Sequence, residues 1–268
     1  MCLFVAQIKK MKFQLTGSRW LILARPHPAA DMRLFCLPYA GGSPLIFCDW
    51  PSALPSNIEV CPIQLPGRGV RLGEPPLTKL EPLIESLVPA LLPFLNKPFA
   101  LFGHSMGGLI CFELARTLRL KFGLEPQCLF LAGRQAPPAS DRTAATYNLP
   151  EPEFIKQLRH LNGTPPEILE QPELMRVVVP LLRAEFELCQ TYVYQPGPLL
   201  GCPISVFGGL DDDEVAYEEL ENWRTYTTGE FSLRMLPGNH FFLHTARAQL
   251  LAMISEDLRQ KCVPLCRL

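Results

Sequence analysis

The sequence predicts an α/β fold: a mostly parallel central sheet with helices on both faces and a helical insertion late in the chain. Three observations lead there. Short apolar runs recur without polar alternation, which suits strands covered on both faces. Amphipathic helical stripes lie between several of these runs. In 99-FALFGHSMGGLICFELAR-116, an apolar run turns through Gly-His-Ser-Met-Gly-Gly straight into a helical pattern.

Taken in order, the expected strands are 20-WLILA-24, 33-RLFCL-37, 58-IEVCPIQL-65, 98-PFALFG-103, 127-QCLFLAG-133, 203-PISVFGG-209 and 231-FSLRMLP-237. The clearest helix spans 80 to 95, where Leu80, Leu83, Ile84, Leu87, Val88, Leu91, Leu92 and Leu95 form one stripe. Pro82 is tolerable near its start, whereas Pro89 and Pro93 should bend or end it. Between Gly133 and Pro203 the strand pattern lapses, and prolines cluster at 136-APPAS-140 and 164-TPPE-167. Phe154, Leu158 and Leu161 share a helical face there, and 173-ELMRVVVPLLRAEFEL-188 reads as an amphipathic helix interrupted at Pro180. A helical lid over about residues 136–200 is expected, within a single domain over 20–268 that follows an N-terminal extension, 1–19.

With 268 residues, 48% hydrophobic and 19% charged at a net charge of -1, the chain is expected to be globular, and no charge excess points to nucleic acid or an anionic membrane. The N-terminal charges follow a short apolar run instead of preceding it, and no stretch is apolar for the length of a spanning helix. A soluble, cytoplasmic protein is expected, with a monomer as the default and Met11 as an alternative start. The ten cysteines (Cys2, Cys36, Cys48, Cys61, Cys111, Cys128, Cys189, Cys202, Cys262, Cys266) lie singly, mostly in apolar runs, as free thiols would. None has metal-ligand spacing, so a mechanism without metal or cofactor is expected.

Gly103-His104-Ser105-Met106-Gly107 matches Gly-x-Ser-x-Gly with a strand before it and a helix after it. Such an elbow strains the serine backbone, aims Oγ out of the sheet and sets it at a helix start, where backbone N–H groups favour negative charge. An inert serine in a tight turn is the plainer alternative. A serine hydroxyl needs a base, and the base needs a carboxylate to orient it. An acidic turn follows the strand in 203-PISVFGGLDDDEV-215, and His240 follows the strand in 233-LRMLPGNHFFLH-244. Asp212 is the expected acid, with Asp211 the rival, since a slip of one residue turns the side chain away. His104 is expected to support the elbow from behind, His244 to serve packing or the surface, and His27 and His160 have no partner motif. The oxyanion donors expected are the backbone amides of Met106 and, from the glycine turn in 34-LFCLPYAGGS-43, of Ala40.

These residues resemble the type II thioesterases that accompany nonribosomal peptide and polyketide synthetases, with the animal medium-chain acyl thioesterase more distant. The resemblance rests on 33-RLFCLPYAGGS-43, 59-EVCPIQLPGR-68, 98-PFALFGHSMGG-108, 161-LNGTPPEIL-169, 178-VVPLLRAEFEL-188 and 236-LPGNHFF-242. It implies an α/β-hydrolase fold and hydrolysis of acyl thioesters on the phosphopantetheine arms of carrier domains, clearing stalled chains in antibiotic biosynthesis. The family triad falls on Ser105, Asp212 and His240, and the oxyanion amides on Ala40 and Met106. Two positions depart from the usual pattern: Gly69 stands where an acidic residue commonly follows Pro-Gly-Arg, and Asn239 where glycine is frequent. A carboxylesterase or acyltransferase on the same fold is the alternative enzyme, and an acyl-binding module the non-enzymatic one.

Overall fold

The structure is a computed structural model, and it describes residues 14–15, 18–23, 26–138 and 145–261. A short antiparallel hairpin of β1 (Gln14–Leu15) and β2 (Ile22–Leu23) precedes the main sheet. The main sheet comprises β3 (Met32–Leu37), β4 (Ile58–Pro62), β5 (Phe99–His104), β6 (Leu129–Ala132), β7 (Ile204–Gly209) and β8 (Phe231–Leu236). Its order is β4-β3-β5-β6-β7-β8, and every neighbouring pair is parallel. The run 20–24 therefore does not become a strand of this sheet. Among the described residues it meets the edge of the sheet just beyond β4, through an antiparallel bridge from Leu21 to Ile63 and the Gln64 N–H on the Trp20 carbonyl at 2.7 Å. Five apolar residues satisfy a hairpin as readily as a core strand, because periodicity alone carries no pairing information.

Why the strands read as unbroken apolar runs is visible in the packing. On β3, Phe35 and Leu37 enter one core while Leu34 and Cys36 enter the other. On β5, Phe99 and Leu101 divide from Ala100 and Phe102 in the same way. Both faces are dry, so both parities must be apolar. Helix α1 (Leu80–Leu91) covers one face with its expected stripe and gives way to a 3-10 turn at Leu92–Phe94, which contains Pro93. Exposed Pro89 is absorbed within it. Helix α2 (Met106–Phe122) covers the same face, and the C-terminal helix at Arg247–Lys261 covers the other.

Between β6 and β7 come α3 (Glu151–Leu161), α4 (Pro166–Leu169) and α5 (Pro172–Gln190). They share a third apolar cluster of Phe154, Leu158, Met175, Val179 and Leu182, separate from the two sheet cores. The expected interruption at Pro180 does not occur, and α5 runs through it. Pro180 is exposed, so the carbonyl four residues earlier, robbed of its intrahelical donor, can turn to water. After β7 come α6 (Tyr217–Glu221), then β8, α7 (Phe242–Thr245) and α8 (Arg247–Lys261).

The described cysteines are free thiols, all buried except Cys189, which is half-buried; Cys2, Cys262 and Cys266 fall outside the described residues, as does Met11. Among the described residues no helix is long and apolar enough to cross a membrane.

Candidate active site

The chain enters the sheet at β3, steps outward to β4, then returns to β5 on the other side of β3 and proceeds outward to β8. This reversal opens a crevice at the carboxyl ends of β3 and β5, where ligands gather in open parallel sheets. Ser105 stands there. Its backbone has φ 51° and ψ -114°, and its N–H donates to the Ala132 carbonyl at 2.8 Å. A Cβ on Gly103 would overlap the Gly107 carbonyl, and one on Gly107 would overlap the carbonyl of Leu37. Strand, turn and helix thus touch backbone to backbone, and only glycine fits at either place. Ser105 is the residue before α2, so the Met106 N–H belongs to the first helical turn, whose donors have no partner within the helix.

The turn after β7 delivers Asp212 and not Asp211. Asp212 Oδ2 lies 2.9 Å from His240 Nδ1, while Oδ1 accepts the N–H groups of Glu214 at 2.9 Å and Val215 at 3.3 Å. The Asp212 side chain is 1% exposed, whereas Asp211 faces solvent. An anchored carboxylate at Nδ1 fixes the tautomer in which Nε2 carries the free lone pair. His240 follows Gly238, whose φ of 111° turns the chain, and buried Phe242 and Leu243 pin the loop from below. Asn239 needs no left-handed conformation; its side-chain oxygen caps the Phe241 N–H at 3.0 Å. Gly69, the other departure from the family pattern, has φ 54°, and a Cβ there would overlap the Gln64 amide oxygen.

The turn after β3 closes with Gly42 N–H on the Tyr39 carbonyl at 2.9 Å, and Gly41 takes φ 78°, as the third residue of a type II turn requires. The Gly41 N–H goes to Glu185 at 2.7 Å. The Ala40 N–H is committed to no acceptor among the described residues.

His104 is fully buried, and neither ring nitrogen has a hydrogen-bond partner among the described residues. Burial, then the nearby His240 and His244, push its pKa well below the ordinary value, so it packs as a neutral ring. It meets His240 edge to face at 5.2 Å between centroids and stacks on Phe241. His244 hydrogen-bonds the Tyr39 hydroxyl at 2.9 Å, and His160 lines the insertion side of the cavity described next. His27 uses its backbone N–H on Glu59. The cysteines offer weak competition as nucleophiles: burial pushes Cys48 up to about 11 and Cys202 to about 12.

Ser105, Asp212, His240 and Ala40 line one cavity of about 580 Å³, roofed by Leu158, Leu182 and Phe186 of the insertion. Within it, no hydrogen bond joins Ser105 Oγ to the imidazole among the described residues. Such contacts commonly tighten only when substrate is bound. A larger hollow of about 710 Å³ lies beside α1 and α2, but its walls hold neither the serine nor the imidazole. Among the described residues no group of acidic, His and Cys side chains could hold a metal ion.

A strained serine between two obligatory glycines, on the crest of a parallel sheet and sharing a cavity with a carboxylate-oriented histidine, has the layout of an α/β-hydrolase site. The chain belongs to the thioesterase domain family, whose model matches residues 32–258. It is 44% identical over 254 residues to the gramicidin S biosynthesis protein GrsT of Aneurinibacillus migulanus, covering 95% of this chain and 99% of that one. It is 45% identical over 255 residues to a Brevibacillus parabrevis protein named linear gramicidin dehydrogenase LgrE, covering 94% and 97%. The solved type II thioesterase BorB from the borrelidin biosynthetic cluster superposes with a TM-score of 0.82 at 37% identity, covering 90% and 98%. Despite the word dehydrogenase in one of these names, this chain carries the serine elbow and no Gly-x-Gly-x-x-Gly.

Proposed function

We propose that this thioesterase is an editing enzyme, hydrolysing acyl groups from the phosphopantetheine arms of carrier domains in nonribosomal peptide or polyketide synthesis. The observation that carries the chemistry is the Asp212–His240 contact at 2.9 Å, opening on the same cavity as the strained Ser105. The relatives named for gramicidin S and borrelidin biosynthesis support the substrate class.

In this reading Ser105 is the nucleophile, His240 the base and Asp212 its orienter. As Oγ attacks the thioester carbonyl, Nε2 takes its proton. The carbonyl oxygen gains charge and is met by the amides of Ala40 and Met106. Collapse expels the thiolate, which takes the proton from the imidazolium, and leaves an acyl-serine. Water, deprotonated by the same nitrogen, attacks the ester; the acid leaves and Oγ recovers its proton. Residues 136–200 serve as the lid, whose Leu158, Leu182 and Phe186 give the acyl chain an apolar roof.

The test offers carrier domains loaded with acetyl, aminoacyl and longer acyl groups to the wild type and to Ser105→Ala. Release of free acid by the wild type and its loss in the variant support the proposal. Turnover of simple aryl esters with none of the carrier-bound thioesters would turn the reading to a general carboxylesterase.

A further inference from the structure

An ion pair lies buried between the insertion and the sheet, and the reaction described above makes no use of it. Glu185 of α5 is 3% exposed and falls on the same stripe as Leu181, Leu182 and Leu188, where an apolar side chain would be the rule. Arg68, from the loop after β4, is 6% exposed and pairs through one terminal nitrogen with Glu185 Oε1. Its other terminal nitrogen donates to the Gly42 carbonyl. Glu185 Oε2 accepts the Gly41 N–H at 2.7 Å. Burial draws the guanidinium down to about 10, which leaves it charged at neutral pH.

The pair therefore holds the Tyr39–Gly42 turn from both sides. Types I and II of such a turn differ by a flip of the central peptide, here the one joining Ala40 to Gly41. In the observed form the N–H of that peptide points at the carboxylate. In the flipped form the Ala40 carbonyl would face it, and two acceptors would meet in a dry site. The Leu182 side chain closes on Gly41 as well, lying 2.7 Å from where a Cβ would be.

We infer that Glu185 is a positioning residue: held by Arg68, its carboxylate anchors the central peptide of the turn and so fixes the place of Ala40, whose own N–H lies one peptide earlier, in the cavity it shares with Ser105. The inference rests on the catalytic reading proposed above, since it assigns the lid helix a share in building the oxyanion site.

Removing one charge alone leaves the other buried and unpaired, which endangers folding. The test therefore compares two double variants, Arg68→Met with Glu185→Gln and Arg68→Met with Glu185→Met. Both lack the ion pair, and only the first keeps an acceptor for the Gly41 N–H. The first is expected to hold kcat within about threefold of wild type, and the second to lose about 10- to 100-fold in kcat with KM little changed. Affinity for a boronic acid analogue of the tetrahedral intermediate should fall in step with kcat. Equal kcat in the two folded variants overturns the inference. Hydrogen exchange on the wild type needs no variant: the Gly41 amide is expected to be protected, and free exchange there overturns the inference too. Ser105→Ala, run alongside, separates the failures. Hydrolysis that survives it sinks the catalytic reading, whereas Ser105-dependent hydrolysis with equal double variants sinks only the role of Glu185.

Discussion

The elbow after β5 and the insertion between β6 and β7 face each other across one cavity, yet different contacts hold them. At the elbow, backbone meets backbone: Gly103 lies against Gly107, and Gly107 against Leu37. In the insertion the contacts are between side chains, through the cluster around Phe154 and Met175 and the buried carboxylate of Glu185. Backbone contacts admit one residue type and no adjustment. Side-chain contacts admit many types and can be remodelled, so a reactive corner can stay fixed while its roof adapts to different acyl groups.

The sharpest way to break this comparison is Gly107→Ala, whose added methyl has no space against the Leu37 carbonyl. No folded, active protein is expected from expression and circular dichroism; a folded variant with wild-type turnover would show that the elbow can give. Asp212→Asn should leave the fold intact and cut kcat by about 10⁴-fold, as loss of the correct histidine tautomer does elsewhere. Asp211→Asn should change kcat by less than about twofold, since that side chain is exposed. Steady-state kinetics on the pair decides.

Phe154→Ala hollows the insertion's own cluster and should cost about 3 kcal/mol or more there. Limited proteolysis is expected to cut within 145–200 while the sheet stays protected. Cooperative unfolding of the whole chain would instead make the insertion and the sheet one unit. The smallest effect concerns pH. Unfolded His104 titrates near 6.5, whereas in the folded chain burial resists its protonation until well below that. Below about pH 6.5 the unfolded chain binds a proton that the folded chain refuses, so stability falls as pH drops. Between pH 7.5 and 5.5 this group should therefore lower stability, a loss absent in His104→Gln, with thermal melts as the measure.

How much was legible in the sequence follows the same division. The elbow could be read because its constraint is local: glycines at fixed offsets from one serine, with strand before and helix after. The double-sided sheet was legible from β3 and β5, where each parity of residue is apolar. Asp212 and Asp211 stayed rivals because one residue of register decides between them, and register is set by the Asp211 N–H on the Gly238 carbonyl across two loops. The run 20–24 does hold a strand, at Ile22–Leu23, but its pairing with β1 in a separate hairpin is not legible, because an apolar run does not name its partner. Pro180 was read as a break because a sequence does not disclose that the position faces water. Glu185 and Arg68 lie within the segments that carry the resemblance, yet no local pattern gives them a role. The signal that could have found them is a charged residue on the buried stripe of an amphipathic helix.

Everything in the proposed mechanism passes through one activated hydroxyl. A fluorophosphonate, which reacts irreversibly with activated serines, tests it most directly when the modified site is mapped by peptide mass. The account predicts stoichiometric modification of Ser105, loss of thioester hydrolysis in the same proportion, and protection by acyl-loaded carrier domain. An active enzyme whose Ser105 remains unmodified, or whose activity survives full modification of Ser105, would contradict it.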